Sequence, residues 1–298
     1  MPFNLRHKII IALAAVFLLT AVGFVYRSAE KYYKDIPITT EQGLKVNLDA
    51  GFGNIRIERG TSNQILQVNI DATLKNDLSE YIDYSNRDDI GYLNINTTQA
   101  LLKESHRRKS NSLHLSGLED NEWNMRFTDA IPISFDIELG MGKGDLDFSG
   151  IMVKDLNLST GASSVIVRFD KPNKSQIENL TIETGLSKFK GYGLCNANFD
   201  HMKFEGGVGS YILDFSGTLD KEVDVDVQVG LGSITISIPD DIGTKIYYEK
   251  SWVASIDFPN DFKEEEENNY FSSNYYNTSG KINMHIEAGL GSIKIKRE

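Results

Sequence analysis

From Val223 to Ile238 the chain reads VDVDVQVGLGSITISI, alternating apolar and polar residues on both sides of a Gly-Leu-Gly step. Alternation at period two predicts β-strands with one buried face. The arrangement recurs. LDAGFGNIRI starts at Leu48, IELGMGKGDL at Ile137, LSTGASSVIV at Leu158, IETGLSKFKG at Ile182, FEGGVGSYIL at Phe204, VQVGLGSITI at Val227 and IEAGLGSIKI at Ile286. Each copy reads apolar, mostly polar, small or apolar, Gly, apolar, Gly or Ser, any residue, then alternation. The fourth place is glycine throughout: Gly51, Gly140, Gly161, Gly185, Gly207, Gly230 and Gly289. The fifth is always apolar: Phe52, Met141, Ala162, Leu186, Val208, Leu231 and Leu290.

The copies at 137, 158, 182, 204 and 227 follow one another at intervals of 21 to 24 residues. Each interval holds one alternating stretch before the glycine and one after it. Glycine between two strands predicts a corner that a side chain would obstruct. A strand, a glycine corner, a second strand and a turn in about 22 residues make one coil of a β-solenoid. Stacked coils then align inward residues in columns, for example Val165, Tyr211, Ile234 and Ile293. The copy at 182 departs from the pattern. KFKGYGLC puts Gly191 and Gly193 where other copies carry Val, Leu or Ile, which predicts a local bend or bulge. The fold class expected is all-β, a single-stack β-solenoid resembling a parallel β-helix. It would occupy 36–298, with insertions at about 61–130 and 247–281.

Residues 1–35 have a different character. Arg6, His7 and Lys8 precede an unbroken apolar run from Ile9 to Tyr26. This is long for the core of a signal peptide and just long enough to span a bilayer. Kept, residues 9–26 would form one transmembrane helix holding a single-pass protein at the inner membrane, with the main domain exported to the periplasm or cell surface. Cleaved at the small residues Ala21-Val22-Gly23, the same segment would be a signal helix and the domain secreted.

Composition narrows the function classes. The formal net charge of −11 disfavours nucleic acid as a partner, because phosphate binding runs on an excess of Lys and Arg. A single cysteine, Cys195, leaves no intramolecular disulfide and no Cys-rich metal site. The glycines are structural rather than phosphate-binding. Gly140-Met141-Gly142-Lys143-Gly144 lacks the spacing and the Lys-Ser/Thr ending of a P-loop, and no copy has the dinucleotide-binding spacing.

Two interruptions and one column are candidates for function. His106, Arg107, Arg108 and Lys109 form a basic cluster that suits anionic lipid headgroups, an acidic surface or a solvated loop. The second interruption carries Trp252, Phe258, Phe262, Tyr270, Phe271, Tyr275 and Tyr276 beside a run of glutamates. These aromatics are candidate partner contacts, because Tyr and Trp dominate interface hot spots. A cap over the exposed end of the solenoid would use the same residues. The second place of the repeat reads Asp49, Glu138, Ser159, Glu183, Glu205, Gln228 and Glu287. Glu183 and Glu205 would stand one strand spacing apart, as a hydrated acidic stripe or, less simply, as paired carboxylates. No nucleophile–base pair stands out, and neither a cofactor nor a metal is expected.

The stretches NLTIETGLSKFKGYG, ANFDHMKFEGGVGSYILDFSGTL and VDVDVQVGLGSITISIPDDIGTKI resemble the bacterial toast-rack family. That family is similar to proposed adhesin domains and to the C-terminal domain of cell-wall-active antibiotic response proteins. The resemblance covers roughly 44–60 and 131–298. It implies a β-solenoid-like stack, often membrane-tethered, with roles in adhesion or envelope-stress regulation and no catalytic residues. The function expected is therefore a non-enzymatic envelope protein whose solenoid meets another protein or a glycan. Two alternatives stay open. One is a polysaccharide-acting enzyme on a parallel β-helix, for which Asp145, Asp147 and Arg168 are the candidates. The other is a structural spacer that associates with itself.

Overall fold

The computed structural model describes residues 30–72, 81–97, 121–249, 251 and 253–298. The apolar run at 9–26, the basic cluster His106–Lys109 and Trp252 lie outside the described residues. Among the described residues no helix is long and apolar enough to cross a membrane.

The described residues are all-β, with sixteen strands in one long solenoid-like sheet. Six long strands carry the repeat: β2 (Gly43–Arg59), β7 (Ile133–Asp147), β8 (Val153–Arg168), β9 (Ile177–Tyr192), β10 (Phe199–Asp214) and β11 (Glu222–Ile238). A seventh, β16 (Lys281–Arg297), completes the set. All pair in parallel, in the order β2-β7-β8-β9-β10-β11-β16. The sequence predicts two strands per copy with a glycine corner between them. The structure instead makes each copy one bent strand. Along every one of these ladders the pairing skips the two fourth-place glycines and resumes at the fifth place. A backbone without Cβ bends there without ending the strand.

The bend also slips the phase of the alternation. In β8, Leu156, Leu158 and Thr160 point inward before it, and Val165 and Val167 after it. Both arms of the strand therefore feed one core. Short connections close the coils with buried Phe148, Phe169, Leu194 and Phe215. Phe127, Phe135, Phe148 and Phe169 run through this core with successive ring centroids 5.1 to 5.5 Å apart. The inward column of Val165, Tyr211, Ile234 and Ile293 forms as expected, with Phe189 between the first two, and every member is buried.

Of the bend or bulge expected at Gly191–Gly193, the structure has the bend, at Gly193, and no bulge at Gly191. Gly191 pairs in register with Val167 on one side and Leu213 on the other. A Cβ on Gly191 would stand 3.2 Å from the Leu194 side chain, so Leu194 occupies the space this copy leaves. The strand ends at Tyr192 and turns at Gly193, whose φ is 68°, into a short 3-10 turn, Leu194–Ala197. Cys195 lies in that turn, and burial pushes its thiol up to about 12, outside the range of a reactive thiolate.

Both ends of the stack use the same device. At the first end, β5 (Ile90–Asn96) pairs with the first arm of β2 and β6 (Glu122–Phe127) with the second, so two pieces of chain make one split coil. Antiparallel strands then cover it: β4 (Ile82–Arg87) on β5, and β3 (Gln64–Ala72) followed by β1 (Glu30–Pro37) on β6. At the far end, β12 (Gly243–Glu249) and β13 (Ala254–Asp257) flank the two arms of β16. Antiparallel β15 (Asn269–Ser272) and β14 (Phe262–Glu266) lie outside β12. The outermost strand carries Glu264, Glu265 and Glu266, and charge on an edge discourages further strand addition.

Glu41 secures the first end. It is 5% exposed and accepts hydrogen bonds from the Tyr84 hydroxyl, the Thr39 amide and Asn86. Burial pushes its carboxyl up, but these bonds outweigh it and hold the pKa at about 2. A carboxylate held low when folded gives stability that is complete above the unfolded value, 4.5, and is lost as pH falls towards 2. Urea midpoints measured across that window are expected to fall with pH, and more shallowly in Glu41→Gln.

Candidate functional site

The phase slip at the bend has a consequence on the outer surface. Fourth- and fifth-place residues both face out, so the fifth-place side chains are exposed although every one is apolar. Leu186 is 64% exposed, Leu290 53%, Leu231 46%, Val208 44% and Met141 43%, with Ala162 exposed and Phe52 half-buried. They stand in register from coil to coil: Phe52, Met141, Ala162, Leu186, Val208, Leu231, Leu290. The column continues into the last, split coil. Ala254 pairs with Gly291, so Val253 falls opposite Leu290, and it is 44% exposed. Eight residues at the usual strand spacing make an apolar ridge roughly 34 Å long. Soluble proteins seldom expose a contiguous apolar stripe of this kind outside an interaction site.

The glycines beside the ridge form a floor of bare backbone. A Cβ on Gly140 would lie 2.4 Å from the Gly51 carbonyl oxygen, and one on Gly289 2.5 Å from that of Gly230. At those two positions a side chain would strike backbone, and an open groove of about 740 Å³ follows the glycine column along the stack. Its outer wall is the second-place column. Asp49, Glu138, Ser159, Glu183, Glu205, Gln228 and Glu287 pair in sequence across the coils, and Glu249 extends them at the far end. Glu183 and Glu205 are direct partners, as the repeat predicts. Glu205 accepts from Lys203 Nζ at 2.5 Å, a contact that pushes the Lys203 ammonium up. Among the described residues Glu138, Glu183 and Glu287 make no ion pair. No group of three or more His, Cys, Asp or Glu among the described residues is placed to hold a metal ion. On the other side of the ridge the seventh place carries Asn54, Lys143, Ser164, Lys188, Ser210, Ser233 and Ser292.

The aromatic candidates sit away from this groove, in the cap. Phe262 and Phe271 are buried, and Phe258 stacks on Tyr270 at 4.2 Å and on Phe262 at 5.8 Å. Tyr275 donates to Asn283 Oδ1 at 2.9 Å, and Tyr276 is 66% exposed. Arg297 pins the last strand to this cap, donating to the carbonyls of Ile242 and Asp240 at 3.0 Å. Trp252 is outside the described residues, but its neighbour Val253 ends the ridge. Asp145 and Arg168 form an ion pair that Arg56 joins at 3.9 Å, while Asp147 accepts from the Ser149 amide at 2.9 Å. These three candidates for glycan chemistry thus hold local salt-bridge and turn contacts. The ridge itself is what sequence reasoning missed. Its signal was an apolar residue kept at the fifth place of every copy, beside a glycine where no core contact called for one.

The family model described as the N-terminal domain of toast_rack, DUF2154, matches residues 26–192. The model described as the C-terminal part of LiaF, cell wall-active antibiotics response, matches residues 192–295. No curated protein matches the chain. Among solved structures, a proposed cell adhesion protein from Clostridium sporogenes is 24% identical, with a TM-score of 0.43 over 91% of this chain and 100% of its own. A proposed adhesin from Bacteroides fragilis is 13% identical, with a TM-score of 0.37 over 89% of this chain and 97% of its own.

Proposed function

The chain belongs to the toast-rack family, and on that premise we propose that it is a non-enzymatic envelope protein whose β-solenoid presents a recognition face to a protein or glycan partner. Residues 9–26 would hold it at the membrane, with the solenoid exported. The observation that carries this reading is the in-register ridge of exposed apolar residues beside a bare glycine groove. Burying such a stripe stabilises by roughly 25 cal/mol per Å² of apolar surface removed from water, which favours a partner over solvent. The match to a LiaF-like C-terminal model supports placement at the envelope.

The test uses the full chain as bait against detergent-solubilised envelope and wall fragments from its own source. A second bait carries Leu186→Ser and Leu231→Ser. Both sites are exposed, so each change is expected to alter stability by no more than about 0.5 kcal/mol. The expected result is a partner retained by the unaltered chain and lost at least fivefold, on the order of 1 kcal/mol, from the doubly substituted one at unchanged melting temperature. Retention of nothing by either bait, or equal retention by both, would overturn the reading.

A further inference from the structure

We propose that the occupant of the ridge and groove is a cationic amphipathic peptide segment of a partner protein. This rests on the reading above, that the face is a recognition face, and adds the chemistry of what it recognises.

Two columns run side by side for the length of the stack, and they ask for different things. The ridge offers aliphatic side chains from Met141 to Val253 and can be covered only by apolar groups. The far wall of the groove offers carboxylates: Asp49, Glu138, Glu183, Glu205, Glu249 and Glu287. Gly backbone lies between them, and among the described residues Glu138, Glu183 and Glu287 make no ion pair, while Glu205 is paired with Lys203 and Glu249 faces His285. A peptide lying along the groove with leucine-like side chains on one edge and Lys or Arg on the other satisfies both columns. Helix-in-groove recognition has this form, an apolar face anchoring and charged positions setting register. The opposite flank carries four serines, Asn54 and two exposed lysines, Lys143 and Lys188, so carboxylates line the groove on one side only.

The same asymmetry weighs against other occupants. An anionic membrane surface would meet the carboxylate column and a chain of net charge −11. A second copy would bring the same acidic column and the same net charge.

The experiment measures fluorescence anisotropy of a labelled Leu/Lys peptide of about 18 residues, roughly 27 Å long as a helix, against the full chain in uncharged nanodiscs. A Leu/Glu peptide of the same apolar pattern and a Ser/Lys peptide of the same charge are the controls. The Leu/Lys peptide is expected to bind, and each control about tenfold or more weaker. Leu186→Ser with Leu231→Ser is expected to weaken the Leu/Lys peptide about tenfold. Glu138→Gln, Glu183→Gln and Glu287→Gln together should weaken it several-fold and flatten the dependence on salt up to about 0.5 M. Absent binding, equal binding of the Leu/Glu peptide, or indifference to both sets of substitutions would overturn the proposal. Binding to phosphatidylglycerol vesicles, or self-association in sedimentation, that disappears in the Leu186→Ser, Leu231→Ser chain would replace the peptide with a membrane or a second copy. The two readings fail separately. Ridge-dependent capture from the envelope without peptide binding leaves the face and removes the chemistry, whereas no capture removes the face.

Discussion

Gly232→Ala is expected to cost about 3 kcal/mol or more and to lower the thermal midpoint sharply. Gly232 has φ of 140°, a backbone conformation that L side chains rarely adopt. A Cβ there would also lie 1.9 Å from the carbonyl oxygen of Gly209 on the neighbouring coil. The added methyl meets backbone on both counts, and backbone in a paired parallel ladder cannot step aside without breaking its own hydrogen bonds. Gly185 is the comparison. Its φ lies outside the left-handed region, and its Cβ would stand 3.2 Å from the Gly161 oxygen. Gly185→Ala is expected to cost under about 1.5 kcal/mol, because a shift of a few tenths of an ångström relieves it. Urea or thermal unfolding followed by circular dichroism ranks the two. Equal effects would mean that the sixth-place glycines are not where the bend stores its constraint.

Gly206→Leu is the second large effect, expected at about 2 kcal/mol or more, and it carries an internal check. A Cβ on Gly206 would lie 2.6 Å from Cε2 of the Tyr211 ring, so the tyrosine occupies the space beneath the third place of that copy. In β7 the roles are exchanged: Leu139 fills the third place, and Gly144, at the eighth, would put a Cβ 2.9 Å from its Cδ1. In these two coils the space across the bend is filled from one arm in β7 and from the other in β10. The double substitution Gly206→Leu with Tyr211→Gly copies the β7 solution. It should therefore lose about 1–3 kcal/mol less than the sum of the two single changes. Additivity would show that the two positions do not share the cavity.

These residues show how far the sequence alone can be read. Leu139 with Gly144 and Gly206 with Tyr211 are all visible in the repeat, but a swap across a bend is invisible until the bend is known. Of the bend or bulge expected at Gly191–Gly193, only the bend at Gly193 is found, and Gly191 stays in register for a related reason. Glycine in a strand weakens packing only if nothing else fills its place, and Leu194, three residues on, fills it from the next turn. The aromatic insert was legible as a group without its geometry. Its spacing does not say that Phe262 and Phe271 turn inward while Tyr276 faces solvent.

The sequence by itself determined the all-β class, the seven copies, the inward columns and the pairing of Glu183 with Glu205. Period-two alternation and a fixed glycine are local properties, and parallel stacking of equal repeats follows from them. Only the tertiary structure decided three further things. It made each copy one bent strand rather than two, since continuity depends on whether the neighbouring ladder survives the bend. It slotted the last strand between β11 and β12, so that chain order and stacking order part company at the far end. And it turned the apolar fifth place outward, because the phase of an alternating strand on each side of a bend is set by the core that both arms share.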